Sequence, residues 1–215
     1  MIKGFFKLIS GLALLVSYHS SIAAVLDFTD NSLIGSLSSV TDGYRGTIDG
    51  VGFTLTSTDG TVNFNENYDG SLSTGCGILA CDKDGAGIDN DEISPNQTLT
   101  LTFDSIVSFT AFHFLDLYDG IGTEQATITL DGSLLSYMSA TETSGQGGYA
   151  RLELLGPMTG QILEFTAALG GLLKDDSNND YAFAGVTVSA VPVPAAIWLF
   201  GSAIVGLFGF RRTTK

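Results

Sequence analysis

Residues 98–117 read TLTLTFDSIVSFTAFHFLDL. Leu99, Leu101 and Phe103 alternate with Thr98, Thr100 and Thr102, a period of two that turns one side of a strand to a core and the other to water. From Ile106 to Leu117 both sides become apolar: Val107, Phe109, Ala111 and Leu115 on one, Phe112 and Phe114 on the other. A strand that is apolar on both faces is covered on both. The stretch therefore predicts a central, bent strand of a sheet.

The same alternation recurs on either side. Val51, Phe53 and Leu55 alternate with Gly52, Thr54 and Thr56, and Ala126, Ile128 and Leu130 with Gln125, Thr127 and Thr129. Residues 149–155, 160–167 and 181–190 are further strand candidates, with 163–173 as an alternative short helix that Gly170-Gly171 would break. Asp-Gly, a tight-turn dipeptide, begins at positions 42, 49, 59, 69, 84, 119 and 131, and Asp131-Gly132 lies between two apolar runs as the best hairpin candidate. Short strands with Gly and Asp turns predict an all-β fold, an antiparallel β-sandwich of jelly-roll type, with other sandwich topologies open.

The 215 residues carry a net charge of −14, unevenly placed. All 23 acidic residues lie between Asp27 and Asp180, a span whose cations are Arg45, Lys83, Arg151 and Lys174. Such a surface repels phosphate backbones and excludes nucleic acid as a partner, while divalent cations, neutral glycans and plain solubility remain compatible with it. The first 24 residues have Lys3 and Lys7, an apolar core from Leu8 to Val16, and Ala23-Ala24 at the end, the layout of a secretory signal peptide. Residues 25–190 then form one ectodomain. Two cysteines, Cys76 and Cys81, remain in a chain that meets an oxidising compartment, so a small-loop disulfide is expected over free thiols.

The last 25 residues, VPVPAAIWLFGSAIVGLFGFRRTTK, order three parts without a spacer. Val191, Pro192, Val193, Pro194 and Ala195 make a proline box, and an uncharged apolar run to Phe210 follows. Arg211, Arg212 and Lys215 close the chain. Sixteen residues at 1.5 Å each give a helix of roughly 24 Å, marginal for a membrane span, with the basic end held in the cytoplasm. This layout resembles the PEP-CTERM sorting signals of Gram-negative bacteria, in the variant whose box reads VPxPA. The resemblance implies a membrane-processing partner of the exosortase type. It also implies delivery to the cell surface or extracellular matrix, with residues 191–215 as a transmembrane sorting helix, transient or retained.

The densest polar stretch, CDKDGAGIDNDE at 81–92, holds Asp82, Asp84, Asp89, Asp91 and Glu92. Hard oxygens crowded into a Gly-rich loop suit calcium, with Asp89, Asp91 and Glu92 as ligands and Asp180, before the last strand, as a further one. Solvated acidic loops are the alternative. The phrases GIDNDEI and NNDYAFAGVTVSAVP resemble the ectodomains that accompany this sorting tail, and jelly-roll carbohydrate-binding modules use a comparable calcium placement.

Catalysis has little support. The one histidine after the leader, His113, reads as a core residue on the Val107–Leu115 face, and no G-x-S-x-G or phosphate-binding glycine loop occurs. Tyr44, Tyr68, Tyr118, Tyr137, Tyr149 and Tyr181 fall near strand ends, where rings can stack on sugars or pack edges. The expected role is binding or structural. Calcium-dependent binding of exopolysaccharide, or hydrolysis of a matrix polysaccharide, are the alternatives.

Overall fold

The computed structural model describes residues 23–68, 70, 75–90, 92–119, 123–140, 147–167 and 179–191. The leader through residue 22, Asp91, residues 168–178 and the sorting tail from Pro192 onward lie outside them.

Among the described residues the first elements are β1 (Ala24–Asp27) and a short helix, α1 (Asn31–Ser36). The strands β2 (Ser38–Val40), β3 (Gly43–Ile48), β4 (Val51–Ser57), β5 (Val62–Asn63) and β6 (Gly87–Ile88) come next. Then follow β7 (Leu99–Leu115), β8 (Gln125–Leu130), β9 (Ser133–Ser139), β10 (Ala150–Ala167) and β11 (Ala182–Ala190). Among the described residues, every pairing between these strands is antiparallel. The alternating segments form the strands expected of them, because β-branched threonines fit the wet side of a pleat and large apolar residues the dry side. Residues 163–167, the start of the alternative helix, continue β10 as strand.

Two long strands build both layers of the sandwich. Leu99–Phe103 of β7 pair with β4, whereas Val107–Leu115 pair with β11. Asp104, Ser105 and Ile106, all exposed, mark the crossing between layers. β10 follows β7 throughout, with irregularities between Glu153 and Met158 and between Gly160 and Ile162, and its far end also pairs with β8. One layer runs β2-β3-β4-β7-β10-β8-β9, and β1-β11 adds to the other half of β7. Between the layers lies an aromatic core. Phe165 stacks on Phe183 at 3.9 Å between centroids, and Phe112 and Phe114 meet Phe165 edge-on at 6.2 and 6.4 Å.

The two-residue hairpin of Asp131-Gly132 is present, with φ of 49° and 76° joining Leu130 to its partner Ser133. Asp49-Gly50 joins β3 and β4 in the same way. Both positive φ values suit the mirror-image turn that matches strand twist.

One expectation about β7 is corrected. Both neighbours skip Thr110: β11 pairs Thr187 with Ala111 and then Val188 with Phe109, while β10 pairs Glu153 with Ala111 and Met158 with Phe109. An extra residue in a strand reverses the alternation beyond it. Val107 and Phe109 therefore join Phe112 and Phe114 in the main core, with Phe109 stacked on Phe112 at 6.2 Å. His113 pairs its face with Ala111 and Leu115 alone. A second apolar cluster, formed by Cys76, Leu79, Leu115, Ala182 and Ala184, covers that face.

Candidate functional site

Where β7 ends, Asp116 turns the chain with a φ of 53°, a conformation that costs most side chains about 1 kcal/mol or more and recurs at functional positions. Its amide and that of Leu117 donate to the carbonyls of Gly147 and Gly148, both at 3.2 Å. Gly148 has a φ of 56°, and a Cβ there would lie 2.8 Å from Asp116 Cα, so glycine is required for this approach. The hydroxyl of Tyr118 donates to Asp116 Oδ1 at 3.2 Å.

The following loop is latched by Glu124. Its carboxylate accepts from the Tyr118 amide at 2.5 Å, while its own amide donates to the Tyr118 carbonyl at 3.1 Å. Burial pushes the Glu124 carboxyl up to about 7, the Tyr118 amide bond opposes that rise, and the neighbouring charge of Asp180 adds to it. Asn179, also buried, accepts from the Gln125 amide at 2.9 Å. The ring of Tyr68 lies against Gly147, where a Cβ would come within 2.8 Å of it. One end of the sandwich thus gathers two buried carboxyls, Asp116 and Glu124, with Asp180 and the rings of Tyr68 and Tyr118.

The acidic stretch after the disulfide is dispersed by its turns. Asp82 accepts from the Asn31 amide at 3.2 Å, and Asp84 is buried. Asp89, at a φ of 64°, accepts from the Thr61 amide at 2.8 Å and so ties the ends of β5 and β6 together. The carbonyl of Glu92 accepts from the Ile88 amide at 3.0 Å, and Ile93 then donates to Tyr181 at 2.7 Å. This brings Glu92 near the approach to β11, while Asp180 lies beside Glu124. Among the described residues, no three His, Cys, Asp or Glu side chains converge as a metal site. Asp91 of the expected calcium set is outside them.

Cys76 and Cys81 are joined, as their spacing predicts. The closed loop is fastened to the start of the chain: Asp27 accepts from Ala80 at 2.7 Å and the Thr29 hydroxyl accepts from Cys81 at 2.9 Å. Beneath it His113 is fully buried, with Nδ1 3.0 Å from the Tyr149 hydroxyl and Nε2 3.3 Å from the Thr187 hydroxyl. Burial, aided by the charge of Arg151, lowers its pKa to about 4, so the ring is neutral near pH 7. Both nitrogens are engaged with the scaffold.

The tyrosines divide. Tyr181 is fully buried, Tyr44 packs on Phe64 at 5.2 Å, and Tyr137 is half exposed on β9. Tyr68 and Tyr118 sit at the strand-end site. Sequence reasoning singled out Tyr68, Tyr118 and Asp180, and Asn179 within the phrase NNDYAFAGVTVSAVP, but missed Asp116 and Glu124. The available signal was Asp116 and Asp119 following directly on an apolar strand, which also reads as an ordinary turn.

No known family matches the chain, and no curated protein does either. Solved structures show distant likeness, among them these three. The catalytic unit of a thermostable GH87 α-1,3-glucanase from Streptomyces thermodiastaticus has 14% identity over 63% of this chain and 25% of that one, at a TM-score of 0.32. The CBM51-2 and INT domains of Clostridium perfringens ZmpB, solved with GlcNAc, give 10% identity over 71% and 43%, at 0.34. CBM32-3 of a family 31 glycoside hydrolase from Clostridium perfringens gives 15% identity over 75% and 98%, at 0.31. The chain spans less than half the length of the first two. Likeness at these scores carries no argument about ligand or activity.

Proposed function

We propose that this chain is an exported protein of the cell surface or extracellular matrix whose β-sandwich holds a neutral polysaccharide without cleaving it. The observation that carries this reading is the strand-end site, where Asp116 is fixed by backbone bonds beside the ring of Tyr118 and Glu124 latches the loop that holds them. Carboxylates accept hydrogen bonds from sugar hydroxyls, and phenol rings stack on the apolar faces of sugar rings. Groups already fixed in place lose little freedom on binding. The glycan is neutral because the −14 charge repels polyanions. Catalysis is a poorer use of the same groups: Glu124 is buried and closes its own loop, and both nitrogens of His113 are bound to the scaffold.

Delivery rests on the leader and on the tail from Val191, which an exosortase-type enzyme reads. Calcium belongs to the same proposal as an ion whose binding draws Asp89, Asp91 and Glu92 toward Asp180, since Asp89, Glu92 and Asp180 do not converge without it. Its role is to relieve carboxylate repulsion in the loops, where a site of order 10⁻⁴ M suffices outside the cell.

The test is retention of the exported protein on immobilised neutral polysaccharides, with wild type, Tyr118→Ala and Asp116→Asn compared with and without chelator. We expect retention by wild type and at least about a tenfold loss in Tyr118→Ala, the effect of removing one stacked ring worth about 1.4 kcal/mol. Retention unchanged in both variants would move binding away from this end. Retention and melting temperature both indifferent to chelator would remove calcium alone.

A further inference from the structure

The sheet ends at β9, and this edge differs from the others. Among the described residues β9 pairs with β8 alone, so its outer row of N–H and C=O groups faces away from the sheet. Natural edges are blunted by charge, proline or brevity, because an unguarded edge recruits another strand. β2, at the opposite end of the layer, is three residues long, and β1 has four and ends in Asp27. β9 reads SLLSYMS: seven residues with no charge and no proline, in a chain of net charge −14. Leu134 and Tyr137 are 55% and 51% exposed on it.

The strand also carries a bulge. Thr129 pairs with Leu134 and Ile128 with Ser136, so Leu135 is extra. As a result Leu134 and Tyr137, three positions apart, both lie on the outer face, opposite Thr129 and Thr127. In a regular strand, residues three apart point to opposite faces. A regular foreign strand laid along β9 therefore matches one of the two side chains and misses the other. A second β9 running antiparallel has the same two residues between the same two side chains, and matches both.

We propose that β9 is a self-pairing edge, joining two copies of this chain about a twofold axis between Leu135 and Ser136, each Leu134 opposite the partner's Tyr137. The contact is isologous and closes as a dimer. Each twofold pair sets Leu134 against the ring of Tyr137, so that the apolar surface of both half-exposed side chains leaves water. Charge agrees with the arrangement. In this register the flanking Asp131 of one copy falls opposite Ala140 of the other, so no like charges meet across the seam. The proposal is independent of the glycan reading: β9 is a separate surface, and either can fail alone.

The experiment uses the full chain carrying Leu134→Cys or Tyr137→Cys, oxidised separately and as a mixture. The mixture is expected to yield covalent dimer several-fold more efficiently than either variant alone, because like positions lie about three residues apart along the seam, beyond disulfide reach. In parallel, wild type should sediment as a dimer and the double variant Leu134→Lys with Tyr137→Lys as a monomer with an unchanged circular dichroism spectrum. A monomeric wild type overturns the proposal. So does a dimer that survives both lysines, or cross-linking as efficient between like positions as between unlike ones. Should the lysine variant misfold, the cysteine comparison decides by itself.

Discussion

The two faces of β7 between Ala111 and Leu115 are equally buried and differently built. One presents Phe112 and Phe114 to Phe165, Tyr181 and Phe183, a wall of rings meeting at 5.6 to 6.4 Å. The other presents Ala111, His113 and Leu115 to Ala182, Ala184 and a disulfide-closed loop. The first face is held by volume: large apolar side chains leave water and interlock. The second has little volume to bury, and is closed by a covalent staple and one polar group satisfied at both ends. Equal burial does not mean equal cause.

The comparison can be broken most sharply on the aromatic face. Phe114→Ala should cost about 3–5 kcal/mol, the range for deleting a buried ring that its neighbours cannot replace, read as a fall in the urea midpoint at constant slope. On the other face, replacing Cys76 and Cys81 together by serine should cost less, at most about 2–3 kcal/mol for so short a loop. Its signature is local: hydrogen exchange should rise at 75–86 before it rises in β7. Equal acceleration across both faces would show that the staple supports the whole sandwich and not one cover.

A smaller effect comes from pH. The native His113 pKa of about 4 lies below the ordinary 6.5, so the unfolded chain takes up the proton first. Stability from this group is complete above pH 6.5 and is lost as pH falls toward 4, by about 3 kcal/mol before the opposing Glu124 contribution is counted. Glu124 acts in the opposite sense. Its carboxyl, raised from 4.5 to about 7, favours the folded state at low pH and loses that contribution as pH rises through 7. The histidine effect is therefore best measured in a Glu124→Gln background, where denaturation midpoints should drop between pH 7 and 4. Adding His113→Gln should flatten that slope, and an unchanged slope would assign acid sensitivity to other groups.

Much of the fold was legible because it is local. Leu99–Phe103 and Gln125–Leu130 announce their faces by alternation, Asp131-Gly132 its turn, and Cys76 with Cys81 their bond. Thr110 was not legible. Its bulge exists only because Thr187-Val188 and the stretch from Glu153 to Met158, both distant in sequence, skip it, and that skip moved His113 away from Phe109. Glu124 escaped for a similar reason. A glutamate before a strand looks like a solvated loop residue until Asn179, Asp180 and Ala140 close around it. The acidic run at 82–92 shows the converse, since its carboxylates are conspicuous together in sequence yet Asp82 and Asp89 serve different turns.

The pairing of β11 with β7 has a mechanical consequence. Ala182 lies opposite Leu115, next to Asp116 and Tyr118, whereas Ala190 lies opposite Val107, and the chain continues from there through Val191. The strand-end site and the exit toward the C-terminus are therefore at opposite ends of one nine-residue strand, about 30 Å apart. A pull applied between the Asp116 end and Val191 would run parallel to β7 and β11. Their ladder bonds lie across that direction and take the load together, in shear, instead of opening one after another.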